Sequence, residues 1–358
     1  MFADLSQSYE LSMNVLQGKP SGRLLWYSIP RHAKEPAAQA GYADPADFLT
    51  RELGALHFES LVDAFPARMP EDVQILETPQ DEAVLRELRC PWGALREVRK
   101  NGQIVQHRVT GPEDLRTLIE IWKRMEFRPR PELFRQKVAD VRGRGPVGVV
   151  TGTSSLQMLV QHDLGVANFW YAVADYPELV EEAMETYQAA MQPAYDALDQ
   201  FDADYFYQGE NTSTTMISPD FYRKYSAAHI RQFTRAAKRC GKPSMVHMCG
   251  LLRDLMPIFP ETGMDGIDCL TPPPVGDCEF AHAFRTMPKG FFCSGRFNSN
   301  SWVGKTRRQI LDCLQAQVPR EVYRDHAFVM IVTTDLVPNI PADNWRLLRD
   351  CINEYDRG

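Results

Sequence analysis

The sequence has 358 residues, of which 44% are hydrophobic, 24% charged and 10% aromatic. These proportions are typical of a folded globular protein and argue against extensive disorder. The formal net charge of -7 provides no basic field for nucleic-acid phosphates or anionic lipids, so we expect neither a nucleic acid nor a membrane as a partner. A small molecule or another protein is the expected partner.

The N-terminal sequence and the cysteines indicate the compartment. The first residues, MFADLSQSYELSMNVLQG, are acidic and polar where a secretory signal needs a basic patch and an apolar run. Eight cysteines scattered through such a chain indicate reduced thiols rather than a disulfide framework. We therefore expect a cytoplasmic protein in which any special cysteine is a ligand or a nucleophile.

The N-terminal third combines helical and β patterns. A helix over 4–17 precedes a strand over 23–29 that ends at Pro30, and another helical pattern covers 45–60. Residues 72–108 are rich in β-type residues, with a hairpin around Lys100-Asn101-Gly102. This segment is expected to decorate the main fold.

From residue 112 onward, helices alternate with strands predicted over 147–151, 205–208, 244–247, 266–270, 290–294 and 327–332. This alternation favours a parallel sheet closed into a (β/α)8 TIM barrel. No linker divides the chain, so we expect one barrel domain over 1–358, with N-terminal helical and β elaborations within 1–110. No Gly-rich fingerprint follows the first strand, which weighs against dinucleotide binding.

His247 and Cys249 are the first candidates for chemistry. They lie where the strand over 244–247 gives way to Gly250, and the active sites of such barrels lie at the carboxyl ends of the strands. Imidazole and thiolate together are a ligand set that zinc accepts readily. The alternative is a half-buried histidine beside a small core cysteine, and the strand-end position before a glycine favours the metal site.

A zinc site needs a third protein ligand, and three residues at other strand ends are candidates. Cys293 is preferred because it offers a second thiolate, although a buried apolar cysteine is an equal alternative. Glu210 is a candidate for metal binding or proton transfer, or else a solvated loop acid. Asp335 is the third candidate, and it could instead cap the next helix or turn.

Four aromatic residues are candidates for a substrate pocket. Tyr205 and Tyr207 alternate on the strand before Glu210, and Trp26 and Tyr27 end the first strand. Half of such residues should face the bore, although core packing accounts for most aromatic side chains of this kind.

Several longer motifs occur together: Gly209-Glu210-Asn211, Ile217-Ser218-Pro219-Asp220-Phe221-Tyr222, Gly241-Lys242-Pro243, His247-Met248-Cys249-Gly250, Leu270-Thr271-Pro272-Pro273-Pro274-Val275-Gly276-Asp277, Thr334-Asp335-Leu336-Val337-Pro338 and Pro341-Ala342-Asp343-Asn344. Through these motifs the chain resembles the uroporphyrinogen decarboxylase superfamily from about residue 20 onward. Within it, the chain resembles the zinc-dependent methyltransferases that work with corrinoid proteins. The resemblance implies a (β/α)8 barrel whose funnel holds zinc, with His247 and Cys249 as ligands.

Two departures refine this resemblance. The decarboxylases have an Arg-rich run after the first strand, where this chain has Ser28-Ile29-Pro30-Arg31-His32-Ala33-Lys34 with a single arginine. The relatives that methylate coenzyme M have a cysteine in the loop that here is Thr333-Thr334-Asp335. The first departure weighs against tetrapyrrole decarboxylation, and the second leaves the third ligand open.

The Gly-acid-Asn motif is similar to that of the methyltransferases that demethylate methoxylated compounds. It implies transfer of a methyl group from a methoxylated, expected aromatic, donor to cob(I)alamin, with Glu210 and Asn211 as catalytic residues. No corrinoid-binding Asp-x-His-x-x-Gly motif is present, so cobalamin is expected on a separate corrinoid protein. The alternatives are methyl transfer to a thiol such as coenzyme M, a decarboxylase-like lyase, and a non-enzymatic corrinoid- or tetrapyrrole-binding protein.

Overall fold

The computed structural model describes residues 5–141, 143–334, 337 and 339–358. Its main feature is a barrel of eight parallel strands: Trp26–Tyr27 (β1), Glu59–Leu61 (β2), Val147–Val150 (β3), Tyr205–Gly209 (β4), Ser244–His247 (β5), Gly266–Leu270 (β6), Phe292–Phe297 (β7) and Ala327–Val332 (β8). Strands β2 to β8 pair in chain order, and β8 pairs with β1. The Leu56 N–H donates to the Trp26 carbonyl at 2.8 Å and closes the ring between β1 and β2. The predicted (β/α)8 fold is confirmed.

Helices surround the barrel. The longer ones are Pro112–Trp122, Pro131–Val141, Val166–Asp175, Pro177–Asp196, Ala227–Arg239, Arg307–Gln317 and Ala342–Arg357, and the shorter ones are Lys34–Gln39, Pro45–Asp47, Ser155–Met158, Pro219–Phe221, Phe280–Thr286 and Arg320–Asp325. The first helix, Leu5–Leu16, closes the N-terminal end of the barrel, where Val15 and Leu16 are buried against side chains of the bore. Within the described ranges, no helix is long and apolar enough to cross a membrane.

An insertion between β2 and β3 contains the β-rich segment expected from the sequence. Its antiparallel sheet, called the inserted sheet below, consists of Gln74–Gln80, Ala83–Cys90, Gly93–Lys100 and Gln103–Gln106. Ala67–Arg68 and Glu126–Phe127 form a separate two-stranded sheet. Lys100 pairs with Gln103 across Asn101 and Gly102, whose φ angles of 51° and 77° suit a tight hairpin turn. The predicted hairpin is confirmed.

The core has two parts, because successive side chains of a strand point to opposite faces. One part fills the bore of the barrel and includes Tyr27, Tyr205 and Met245. The other part lies between the strands and the helices and includes Trp26, Phe206 and Val246; it is called the outer layer below. The part to which a residue belongs decides whether it can reach the barrel mouth.

The strand boundaries agree with the sequence prediction in some places and differ in others. Strands β5, β6 and β8 have the predicted bounds. The strand predicted over 290–294 instead spans Phe292–Phe297, which moves its mouth end by three residues. Strand β2 lies at the edge of a segment predicted to be helical, because three residues are too few to show an alternating pattern.

Candidate active site

His247, the last residue of β5, is held by a carboxylate of the neighbouring strand. Its Nδ1 lies 2.8 Å from Oδ2 of Asp268, which occupies the paired position on β6. Tyr27 and Tyr207 donate their hydroxyls to the same carboxylate at 2.9 and 3.0 Å. Sequence reasoning missed Asp268, although an acidic residue inside the apolar strand Gly266–Leu270 was an available signal.

The electrostatics of this pair fix the orientation of the imidazole. Burial lowers the pKa of His247, but hydrogen bonds to Asp268 and Cys249 outweigh burial and raise the pKa to about 10. Burial raises the pKa of Asp268, but the hydrogen bond from His247 and those from Ser294 and Tyr27 bring it below its usual value. Asp268 is therefore ionised, and its position requires the proton of the imidazole to be on Nδ1.

Cys249 lies two residues beyond His247, half-buried and packed against the bore cluster. The hydrogen bond to His247 lowers the pKa of its thiol against the effect of burial, and the charge of Arg296 acts in the same direction. The thiol faces Oδ1 of Asn211 at 3.8 Å. Arg296, which sequence reasoning also missed, lies near the mouth end of β7 and donates from Nε to Oγ1 of Thr333 at 3.3 Å.

A backbone irregularity in β6 brings two adjacent residues toward the bore. The pairing register between β6 and β7 shifts between Ile267 and Leu270, and Cys269 has a φ of 68°. Bulges of this kind re-aim side chains near active sites, and a non-glycine residue in the left-handed region is uncommon. As a result, both Asp268 and Cys269 contact the bore, where burial raises the pKa of the Cys269 thiol well above its usual value.

Cys293, the preferred third ligand in the sequence prediction, lies in the outer layer. It is the second residue of β7 rather than a strand-end residue, and its side chain is fully buried. Burial raises the pKa of its thiol well above the usual value. Among the described residues, Cys293 does not form a group with His247 and Cys249 that could hold a metal ion, and its role as a ligand stays a prediction.

Glu210 is fully buried beneath the first turn of the helix Ser155–Met158. Its carboxylate accepts hydrogen bonds from the Ser154 N–H at 2.5 Å, the Ser154 hydroxyl at 2.8 Å and Gln208 Nε2 at 3.0 Å. Burial raises its pKa to about 7 against the effect of these bonds. Its oxygens are used inside the outer layer, and the metal-ligand alternative for Glu210 stays a prediction. A role in proton transfer stays a prediction.

The structure divides the remaining candidates. Tyr27 and Tyr207 face the site, and the ring centroids of Tyr207 and His247 are 6.3 Å apart. Tyr205 faces the bore, but its hydroxyl donates to the Glu59 carbonyl at 2.8 Å and the residue is buried away from the mouth. Trp26 packs in the outer layer, so the structure does not bring Trp26 and Tyr205 together with the site, and their pocket assignment stays a prediction. Asp335 lies outside the described residues.

His247 and Cys249 fit two positions of a zinc site. Metal-bound histidines commonly donate their other ring N–H to a carboxylate, as Nδ1 of His247 does to Asp268. Cys249 adds a thiol of lowered pKa. Across residues 5–141, 143–334, 337 and 339–358, no group of three or more His, Cys, Asp and Glu side chains could hold a metal ion. A third ligand would therefore come from the substrate or from a residue such as Asp335.

Comparison with known families shows to which family the chain belongs. Residues 135–355 match the model of the uroporphyrinogen decarboxylase (URO-D) family. The chain belongs to this family. The site residues of β4 to β8 fall inside the matched range, and the family resemblance seen in the sequence motifs is confirmed. No curated protein sequence matches the chain.

Solved structures extend the comparison to the whole URO-D fold. A methyltransferase from Methanosarcina mazei is similar over 97% of this chain and 98% of that chain, with a TM-score of 0.58 and 14% sequence identity. At this identity the similarity concerns the fold alone. A dihydrodipicolinate synthase from Bacillus clausii matches 67% of this chain and 57% of that chain at 13% identity, and its TM-score of 0.29 supports no further argument.

Proposed function

We propose that the protein is a methyltransferase that moves a methyl group from a methoxylated aromatic compound to cob(I)alamin on a partner corrinoid protein, with zinc held by His247 and Cys249. The observation that carries the proposal is the pairing of His247 with Asp268 beside a thiol of lowered pKa. The fold shared with a methyltransferase over nearly the whole chain supports it.

The chemistry requires help for a poor leaving group, because a methyl ether releases an alkoxide or a phenoxide. Zinc bound at His247 and Cys249 would supply a Lewis acid for the ether oxygen. Asp268 fixes the proton of the imidazole on Nδ1 and leaves Nε2 as the ligand atom. Tyr27 and Tyr207 donate to Asp268 and so stabilise its ionised form.

Access to the site is consistent with a partner that delivers the acceptor. The His247 side chain is 23% exposed and Cys249 is half-buried, whereas the Asp268 side chain beneath them is 9% exposed. The ligand atoms therefore lie at the surface of the bore, and the carboxylate that orients them is protected from water. We propose that the methyl donor lies between these ligands and the docked corrinoid.

Metal analysis tests the site itself. The purified protein is expected to bind about one zinc per chain, and His247→Ala and Cys249→Ser are expected to lose it. Cys240→Ser is a matched control, because Cys240 is also half-buried but follows the helix Ala227–Arg239. Full zinc retention in both ligand variants would overturn the metal assignment.

A methyl-transfer assay tests the reaction. The zinc-loaded protein is mixed with cob(I)alamin and a panel of methoxylated aromatics, and formation of methylcobalamin is followed by its absorbance. Parallel reactions contain methylcobalamin with a small thiol, or a carboxylated tetrapyrrole. Turnover only with methylcobalamin and the thiol, or only with the tetrapyrrole, would overturn the proposed reaction in favour of that alternative. No turnover in any of the three reactions would favour a non-enzymatic binding protein.

A further inference from the structure

We infer that Gln161 is a positioning residue that orients the amide of Asn211 over the thiol of Cys249, and that the inserted sheet fixes the segment that carries Gln161. The inference deepens the proposed function and rests on Cys249 belonging to its site. It assigns a role to the insertion, which the barrel chemistry alone does not use.

The loop after β4 lies along the helix that begins at Ser155. Three consecutive loop residues contact this helix or its cap: Glu210 binds Ser154, Thr212 accepts from Gln157 Nε2 at 3.3 Å, and Asn211 donates from Nδ2 to Gln161 Oε1 at 2.7 Å. Glu210 and Thr212 are fully buried, whereas Asn211 between them is exposed at the mouth. The two buried contacts fix the backbone, and the contact with Gln161 fixes the side chain that faces Cys249.

The hydrogen bonds have one direction along this chain of amides. The buried Gln157 uses its Nε2 on Thr212, so its Oε1 accepts from Gln161 Nε2 at 2.7 Å. Gln161 therefore presents Oε1 to Asn211. Because an amide has a donor end and an acceptor end, Asn211 must then present Oδ1 to the thiol of Cys249 at 3.8 Å.

Gln161 lies in an unusual helical segment. Leu159–Asp163 is a π-helical turn that continues the helix Ser155–Met158, and the Leu164 N–H donates to the Leu159 carbonyl at 2.8 Å. Such turns are rare and occur frequently at functional sites. The turn presents Gln161 to the loop after β4.

The insertion contacts this segment through three consecutive residues that follow the inserted sheet. Nη2 of Arg108 lies 2.7 Å from Oε2 of Glu97, and its Nε lies 3.3 Å from Oδ1 of Asp163. The side chains of these three residues are at most 14% exposed. The Val109 N–H donates to the Asp163 carbonyl at 2.9 Å. His107 Nδ1 donates to the His162 carbonyl at 3.1 Å, which completes a clamp on the end of the segment.

Alkylation of Cys249 tests the inference without methyl transfer. Folded, metal-free protein is treated with iodoacetamide, and the rate at Cys249 is measured by peptide mass spectrometry with fragmentation to separate it from Cys240. In Gln161→Leu, Asn211 loses the hydrogen bond that holds its Oδ1 against the thiol of Cys249. Alkylation of Cys249 is expected to become about fivefold faster, which corresponds to one hydrogen bond of typical strength. Gln136→Leu is the matched control, because Gln136 makes a comparable bond to Asp140 on an exposed helix.

A double-mutant cycle identifies the route of the effect. Asn211→Ala is expected to accelerate alkylation to a similar extent, and adding Gln161→Leu is expected to produce no further change. Gln161→Met removes the same two hydrogen bonds with an unbranched side chain and should reproduce the rate of Gln161→Leu. An unchanged or slower rate in Gln161→Leu, or additive effects in the double variant, would overturn the positioning role.

The clamp is tested by the same readout. Arg108→Met is expected to accelerate alkylation of Cys249 and to add nothing in the Gln161→Leu background. Asp163→Asn, which is nearly isosteric, replaces it if the first variant does not fold. If a folded Arg108→Met or Asp163→Asn variant is alkylated at Cys249 at the parent rate, the inserted sheet does not fix the segment that carries Gln161. Because no methyl donor is present, failure of the proposed reaction leaves these results unaffected.

Discussion

Asp268 inside β6 and Glu210 directly after β4 are both buried carboxylates, yet their environments shift their pKa values in opposite directions. Asp268 in the bore accepts from His247, whose imidazole can be charged, and from two phenols. Glu210 in the outer layer accepts only from neutral donors. Burial raises the pKa of both acids, and the imidazole beside Asp268 reverses this effect whereas the neutral donors to Glu210 do not.

The cysteines show the same influence of the imidazole. Cys249 has a lowered pKa because it contacts His247, whereas burial and neighbouring negative groups raise the pKa of Cys293 in the outer layer. Burial also raises the pKa of Cys269 in the bore, so contact with His247 is what distinguishes Cys249. The outer layer contains the same residue types in structural roles.

Removing the charge of Asp268 should have the largest effect. In Asp268→Asn a neutral amide replaces the charged acceptor of the His247 Nδ1–H, so we expect zinc affinity to fall about 10–100-fold and methyl transfer to fall at least as much. Zinc affinity is measured by competition with a chelator. Asp265→Asn is the control, because Asp265 accepts from the Ser244 N–H and hydroxyl at the N-terminal end of the same strands. Equal losses in both variants would contradict the special role of the bore carboxylate.

Glu210 should instead affect the pH dependence of stability. Its folded pKa of about 7 lies above the ordinary value of 4.5, so the stability that it contributes is complete below about pH 4.5 and is lost as the pH rises through 7. Glu210→Gln lacks this dependence. The stability of the parent protein relative to the variant should therefore fall by on the order of 3 kcal/mol across this window.

Urea denaturation at pH 5 and pH 8 measures this difference. If the stability difference between the parent protein and Glu210→Gln is the same at pH 5 and pH 8, Glu210 ionises with an ordinary pKa. Zinc content should stay at the parent level in Glu210→Gln, because the carboxylate does not reach the bore.

Cys293→Ala and Cys249→Ala compare the loss of a thiol in the outer layer with the loss of a thiol in the bore. Because Cys293 is fully buried, we expect this variant to retain zinc and to lose about 1 kcal/mol of stability through the small cavity left by the sulfur. Cys249→Ala should show the opposite pattern, with loss of zinc and little loss of stability. Zinc loss in Cys293→Ala at an unchanged fold would restore Cys293 as a ligand.

The sequence predicted features that depend on local pattern. The alternation of helices and strands indicated the barrel, and the position of His247 and Cys249 before Gly250 indicated the mouth. The end of β7 lies three residues later than predicted, which leaves Cys293 inside the strand and changes which residue is at the mouth. Strand alternation then decides which face each side chain occupies.

The partners of other residues could not be predicted from local pattern. Asp268 is 21 residues from His247 in sequence, and the register between β5 and β6 is what pairs them. Gln161 and Asn211 are 50 residues apart, and isolated amides follow no recognisable spacing. These contacts depend on the packing of parallel strands and helices, which a single sequence does not specify.

Tyr207→Phe should have the smallest effect. It removes one of the donors to Asp268, while Tyr27 and His247 remain, so we expect zinc affinity to fall about fivefold, corresponding to a single hydrogen bond of about 1 kcal/mol. Tyr205→Phe is the matched control on the same strand, because its hydroxyl bonds to the Glu59 carbonyl away from the mouth. Both variants remove one buried hydroxyl and should change packing to the same extent. If only Tyr207→Phe weakens zinc binding, the effect comes from the lost hydrogen bond to Asp268. Equal weakening of zinc binding in both variants would contradict this role of Tyr207.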